Sequence, residues 1–397
     1  YPMLYYYAAY YEEKMGEDEA AKKSLEKAES CAFDYCFPNK LDDIAVLTFA
    51  IENGCKKKAP YYLGNLFYDK LQWKKSVELW EMSEKADDTF SIVHRNLALA
   101  YYNKMGDSKA AKCELEKAFS LNRKDARIFL ELDQLYKKLG YSFKERLAKY
   151  DEDPSLAESR DDLYIEYITL MNMCGEYERA YRCIMGRRFH PWEGGEGKIT
   201  TQYTISLLEM AKQCLASEKY EQAEKLLKKA LVYPENLGEG KLEGTKDNHL
   251  FYHLGLALEA QGKHDEAKTC FETATIGTDE PAGAMYYNDQ PADMILYQGL
   301  AFEKLGKTRE AKSRFYRLID YGEQHLNDEG KIEYFAVSLP DFLIFDEDYT
   351  KKNRAHCCYL MALGNIGLQN REKAAEFLNE ALEIEPSHMM ATLYQKQ

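Results

Sequence analysis

Two histidines four residues apart, His249 and His253, would share one face of a helix, and with Asp247 they are residue types that hold a divalent metal. No HExxH pattern accompanies them, and the surrounding apolar spacing is that of an ordinary helix. His356 beside Cys357 has the composition of a nucleophile pair, but neighbours along a helix point in different directions. Gly306-Lys307-Thr308 ends like a phosphate-binding loop, yet Ala301 stands where that loop needs its first glycine. Asp341, Asp346, Glu347 and Asp348 are carboxylates of the kind used in pairs as general acid and base. A run this dense reads instead as a solvated face. The sequence therefore predicts no catalytic residue, no metal site and no cofactor.

What does recur is a spacing, glycine then alanine, a large apolar residue and alanine, at offsets 5, 9 and 12. It runs Gly16, Ala21, Leu25, Ala28; Gly106, Ala111, Leu115, Ala118; and Gly262, Ala267, Phe271, Ala274. Gly175, Ala180, Ile184 and Gly306, Ala311, Phe315, Leu318 follow it. Ala223, Leu227, Ala230 and Ala374, Leu378, Ala381 do so with Glu218 and Gln369 in the glycine slot. Helix-period sequence flanks each turn, so each copy predicts two helices joined at a left-handed cap. The alanines, with Gly255 and Gly299, mark where the helices must cross closely. This pattern resembles the tetratricopeptide repeat (TPR), and prolines at Pro234 and Pro386 close second helices as in that family. The resemblance implies an all-α, right-handed superhelical TPR solenoid of about nine helix pairs. One copy, at Leu63, Gly64, Phe67, Ser76, Trp80 and Ser83, is weaker, and another near Gly140 keeps the turn but loses the alanines.

Leu71, Gly106, Gly140 and Gly175 are separated by 35, 34 and 35 residues, but Gly175, Glu218, Gly262 and Gly306 by 43, 44 and 44. The chain thus reads as TPR-like repeats over 1–150, continuous with repeats carrying longer inserted loops over 151–397. Dense glycines in those loops let a backbone approach a ligand or another chain closely. Trp192, Glu193, Glu196, Lys198, Glu239, Lys241, Tyr286, Tyr287 and Lys331 form the candidate rim, suited to sugar hydroxyls or a partner's loop.

The loops 189–198 and 233–241, with 334–342, resemble a bacterial family of undefined function over residues 150–397. Its members join an N-terminal β-sandwich, similar to aldose epimerases, to a C-terminal TPR array. The resemblance implies that the loops meet an upstream domain or its sugar. TPR grooves hold peptides on their first helices, which maps clamp positions onto Asn65, Asn96 and Arg127. Tyr61 and Glu131 replace basic residues there, and a negative charge would repel a terminal carboxylate. Tyr61, Tyr68 and Tyr102 are expected on the same surface as stacking area.

A formal charge of −14 argues against nucleic acid and acidic membrane surfaces, and no apolar run is long enough to span a bilayer. Ten scattered cysteines, among them Cys113, Cys183 and Cys270, without a CxxC pair, read as small buried hydrophobes of a reduced, cytoplasmic protein. The chain starts at Tyr1 within helix-like sequence and ends soon after another helix begins at His388, as a piece of a longer protein would. The functional expectation is a non-catalytic scaffold for a protein, a peptide or an upstream domain of its own. Its alternative is an accessory module whose loops help form a carbohydrate site.

Overall fold

The structure is a computed structural model that describes residues 1–192, 194–283, 290–330 and 344–396, and all regular elements among them are helical. They fall into two units. Unit 1 comprises Tyr1–Leu139 with Ile344–Asp346, and unit 2 comprises Gly140–Leu343 with Glu347–Gln397.

Unit 1 pairs Pro2–Lys14 with Asp18–Ser30, Lys58–Asp69 with Trp73–Ala86, and Ser91–Ala100 with Ser108–Leu121, and adds Leu41–Glu52 and Ala126–Lys138. Unit 2 pairs Asp161–Met173 with Tyr177–Met185, Lys198–Ala216 with Tyr220–Ala230, and Asn248–Ala260 with His264–Ala274. Met294–Lys304 with Thr308–His325 and Tyr349–Gly367 with Arg371–Ile384 complete its pairs. The helices flanking Gly140, Ala126–Lys138 and Phe143–Asp151, fall in different units. That turn is the one whose expected alanine, apolar and alanine positions hold Glu145, Lys149 and Glu152. The all-α helix-pair repeat is therefore the architecture of this chain.

All nine turn positions are left-handed. Gly16, Gly106, Gly140, Gly175, Gly262 and Gly306 have φ between 67° and 84°, and Leu71, Glu218 and Gln369 have φ of 59° or 60°. Seven of them are closed by a hydrogen bond from the residue after the turn to a carbonyl five residues back, as in Lys263 N to Leu258 O and Lys219 N to Cys214 O. One turn differs. Residues Tyr101–Met105 are π-helical, and Asp107 N reaches back six residues to Tyr101 O.

Close crossings follow from the small residues. A Cβ on Gly255 would lie 2.5 Å from the Phe271 ring, and one on Gly299 would lie 2.2 Å from Phe315. Ala111, Ala118, Ala180, Ala223, Ala230, Ala274 and Ala381 are fully buried. In the weaker copy Ser76 and Ser83 take the alanine places and donate to the carbonyls of Gly64 and Lys57. The helix Met389–Gln395, expected to open another repeat, packs within unit 2 against Asp161–Met173, and Leu393 meets Met173 and Ile205.

Nothing lies within 4 Å of a Cβ added at Gly262, so Gly262→Ala strains only the backbone. It should lower stability by about 1 kcal/mol. Glu218→Gly relieves the same strain and should raise stability by roughly 0.5 kcal/mol, net of glycine's greater chain entropy. Denaturation midpoints measure both, and shifts of the same sign would contradict the cap assignment.

Candidate functional site

The first helices of unit 1 carry a connected row of polar side chains. Trp80 Nε1 and Asn96 Nδ2 both donate to Asn65 Oδ1 at 3.1 Å. Asn96 Oδ1 accepts from Arg95 Nη1 at 3.3 Å. Arg95 then grips Glu131 through Nε (2.7 Å) and Nη2 (2.6 Å), and Arg127 Nε adds a third bond at 3.0 Å. Glu131 is fully buried, and two guanidiniums pair with its carboxylate. The expected repulsion of a carboxylate is thereby offset, and Arg127, with 63% of its side chain exposed, leaves cationic surface at the edge. Tyr61 departs from expectation. It is 6% exposed and packs edge-on to Phe33 and Phe90, which makes it core and not stacking surface. Tyr68 lies against Trp80, with ring centroids 5.3 Å apart.

The π-helical turn next to this row binds three residues of the chain itself. Asn103 Nδ2 donates to the Ile344 carbonyl (2.8 Å), and Asn103 Oδ1 accepts from the Asp346 amide (2.9 Å). One side-chain amide thus holds both main-chain groups that flank Phe345. The Phe345 ring stands edge-on to Tyr102 at 5.0 Å and is 2% exposed. Lys104, its Nζ 5.1 Å from the Trp73 ring centroid, pairs with Asp346 at 3.3 Å. Burial, then the Asp346 charge, raises the Tyr68 phenol above its ordinary pKa. Of these residues Tyr68 and Tyr102 stood out in the sequence as groove aromatics, and Asp346 only as part of an acidic run. Asn103 and Lys104 carried no signal beyond the 35-residue spacing before Gly106, one more than the common period. The same excess before Gly175 accompanies an added short helix, Pro154–Glu158, so spacing alone does not place the bulge.

The inserted loops of unit 2 pair with one another. Phe189 N donates to Asn236 O (2.8 Å), and Asn236 Nδ2 donates to the carbonyls of Ile184 (2.8 Å) and Arg187 (3.0 Å). Gly197 N donates to Glu239 Oε2 (2.8 Å), and burial raises the Glu239 pKa. Gly238 has φ 73°, and a Cβ there would lie 2.4 Å from the Phe189 carbonyl oxygen. Lys241 pairs with Asp247 (2.5 Å) and donates to Leu231 O (3.0 Å), so it is committed inside the fold. Trp192 covers Gly195, and the Lys198 ammonium lies 5.6 Å from its ring centroid. Glu196 bonds the Gly194 amide. Glu193, Tyr286, Tyr287, Lys331 and the stretch 334–342 lie outside the described residues.

The remaining chemistry resolves into structure. Asp247 serves Lys241, and His253 Nδ1 donates to His249 O at 2.7 Å. Both histidines pack on Tyr297, and burial pushes each down to about 3. His356 turns to the Ala282 carbonyl, and burial raises the Cys357 thiol to about 11. Asp348 caps Tyr349–Gly367, and Glu347 pairs with Lys352. Glu84, His94 and Glu114 are the one trio of potential metal ligands among the described residues. Both ring nitrogens of His94 are engaged, Nδ1 with Glu114 (2.6 Å) and Nε2 with the Asp88 carbonyl (2.8 Å). Burial alone would lower the His94 pKa, but these bonds outweigh it and raise it, so the trio fits an imidazolium between carboxylates. All ten cysteines are free; Cys113 is exposed where burial was expected, and Cys183 and Cys270 are half-buried. No helix among the described residues is long and apolar enough to cross a membrane.

Sequence profiles of the tetratricopeptide repeat match residues 249–275 and 355–388, and a second such profile matches 293–321. The chain therefore carries tetratricopeptide repeats. Among solved structures, it is similar to the complex of Naa15/Naa10 bound to HypK-THB (12% identity, TM-score 0.38), with 99% of this chain and 60% of that one covered. A tetratricopeptide repeat protein from Parabacteroides merdae matches at 14% identity and TM-score 0.29, over 76% of this chain and 98% of that one. YrrB, a TPR protein with an unusual peptide-binding site, matches at 18% identity and TM-score 0.23, over 65% of this chain and all of that one.

Two outcomes test the assignments in unit 2. Gly238→Ala forces both a left-handed alanine and a clash with the Phe189 carbonyl, and should cost about 2–3 kcal/mol in a denaturation series. His249 and His253 take up protons more readily in the unfolded chain, so stability falls as pH drops from about 6.5 towards 3. At pH 5 each should cost about 2 kcal/mol. Buried Asp293, raised to about 6, acts in the opposite sense over part of that range. His249→Phe isolates one histidine, and it should lose less melting temperature than the wild type between pH 7 and 5. An identical pH dependence would show that His249 is not buried neutral.

Proposed function

We propose that this chain is a non-catalytic scaffold that holds a short segment of a protein against the first-helix side chains of unit 1. The observation that carries this reading is the Asn103 amide, which grips the two main-chain groups flanking Phe345. Such bonds recognise the main chain of a peptide whatever its sequence, and neighbouring side chains then supply selectivity. The row Asn65–Asn96–Arg95–Glu131–Arg127 extends the same polar chemistry along the face. Tetratricopeptide repeats support a protein-interaction role, and the partner is another protein or an upstream domain of the same one. Ten free thiols favour the reduced cytoplasm. A role in a sugar site draws no comparable support, because Lys241 and the Oε2 oxygen of Glu239 are engaged in holding repeat to repeat.

Selection of a displayed library of random peptides on the intact chain tests the reading. Binders are expected whose affinity falls about tenfold, or ~1.4 kcal/mol, on Tyr102→Ala or Arg127→Ala. Trp192→Ala and Lys198→Ala should leave them unchanged. A library without binders, or binders sensitive only to the loop variants, would overturn it.

A further inference from the structure

The geometry points to a specific receptor within that scaffold: the turn Tyr102–Lys104 recognises a phenylalanine–aspartate segment of a partner protein and is kept covered by the chain's own Ile344-Phe345-Asp346. This inference rests on the scaffold reading above and adds the chemistry of the partner and the state of the site.

Each receptor residue reads one feature. Asn103 requires a residue with a free carbonyl before it and a free amide after it, since it bonds Ile344 O and Asp346 N. Tyr102 requires an aromatic ring at the gripped position, because the Phe345 ring meets it edge-on and is almost wholly buried. Lys104, held beside Trp73, selects a carboxylate at the next position. Asp346 is 66% exposed, so this pair favours the right partner more than it stabilises the contact. All three readers lie in the π-helical turn, the one place in the nine turns where an extra residue is accommodated. The extra residue is what places three consecutive side chains on a single segment.

The cover is short enough to leave. Only Ile344–Asp346 belong to unit 1, and the next residues serve other contacts, Glu347 with Lys352 and Asp348 as a helix cap. Among the described residues two main-chain hydrogen bonds, one buried ring and one exposed ion pair hold it, a set local enough to open without unfolding the helix pairs. A tethered segment nonetheless competes at an effective concentration on the order of millimolar. A partner prevails by reaching beyond the tripeptide to the exposed guanidinium of Arg127 and the Asn65–Asn96 row, which the cover does not touch in any hydrogen bond described for them.

The test uses the full chain and a fluorescent peptide with the sequence of residues 344–350, Ile-Phe-Asp-Glu-Asp-Tyr-Thr. Fluorescence polarisation should show Phe345→Ala binding it about tenfold more tightly than wild type, because the cover no longer fills the ring site. Asp346→Lys, which alters only an exposed charge, should act in the same direction if Phe345→Ala disturbs folding. Asn103→Ala added to either variant should abolish binding, as should replacing the peptide's phenylalanine with alanine. In wild type the Asp346 amide should be protected from hydrogen exchange, and Asn103→Ala should remove that protection. Equal affinity for wild type and both cover variants would overturn the covering role, and absence of binding by both variants would overturn the receptor. If either occurs while library peptides still bind through Arg127, the inference fails and the scaffold reading survives.

Discussion

Each helix pair here is closed by one backbone residue in the left-handed conformation. In seven of the nine turns that residue lets the following amide reach the carbonyl five positions back, and at Gly106 six, so the chain reverses without leaving the helix end unpaired. The constraint is geometric before it is chemical, which is why Leu71, Glu218 and Gln369 accept it despite their Cβ atoms. Once direction is reversed within so few residues, the two helices must cross at the distance that small residues permit. Gly255 beneath Phe271 and Gly299 beneath Phe315 are consequences of the turn, and the large rings fill the space the glycines open. Local closure and interhelix packing are thus one requirement seen at two scales.

This also explains how much could be read in advance. Turn, small residue and large residue lie within a dozen positions, so a local pattern contains nearly all the information that specifies a pair. The turn at Gly140 showed the loss of packing residues, with charged Glu145, Lys149 and Glu152 where they were due, although the sequence on its two sides read as continuous. Groove side chains were only partly legible. Asn65, Asn96 and Arg127 occupy first-helix positions and interact there, whereas Tyr61 was misplaced because its burial comes from Phe33 and Phe90 on other elements. Glu131 was read as an isolated charge because its answering Arg95 lies 36 residues away. Least legible was the segment at Ile344–Asp346. Its partner Asn103 is 241 residues distant, and no periodicity connects the two. Within the acidic run read as solvated surface, Asp346 is exposed as expected yet meets Lys104.

The loops show the complementary case, in which an interesting composition has a structural use. Glycine in a loop signals close approach, but not of what. At Gly238 the neighbour is the Phe189 carbonyl, and at Gly195 it is the Trp192 ring. Two insertions at equal phase therefore meet each other before they meet anything else. Lys241 is drawn inwards because Asp247 and the Leu231 carbonyl offer a half-buried ammonium the bonds that burial would otherwise deny it. Repeated wording in repeated loops reflects a repeated neighbour.

The inner face of unit 1 differs in kind, because its polar groups are connected without being exhausted. Asn103 spends its amide on peptide groups that any protein segment also possesses, and the buried charge of Glu131 is balanced by two guanidiniums, one of them still facing solvent. Three successive residues of the π-helical turn meet one short segment, Tyr102 its ring, Asn103 its main chain and Lys104 its carboxylate. The first residue of the same turn, Tyr101, donates its hydroxyl to Glu81, so the turn that holds the segment is also tied to the preceding helix pair.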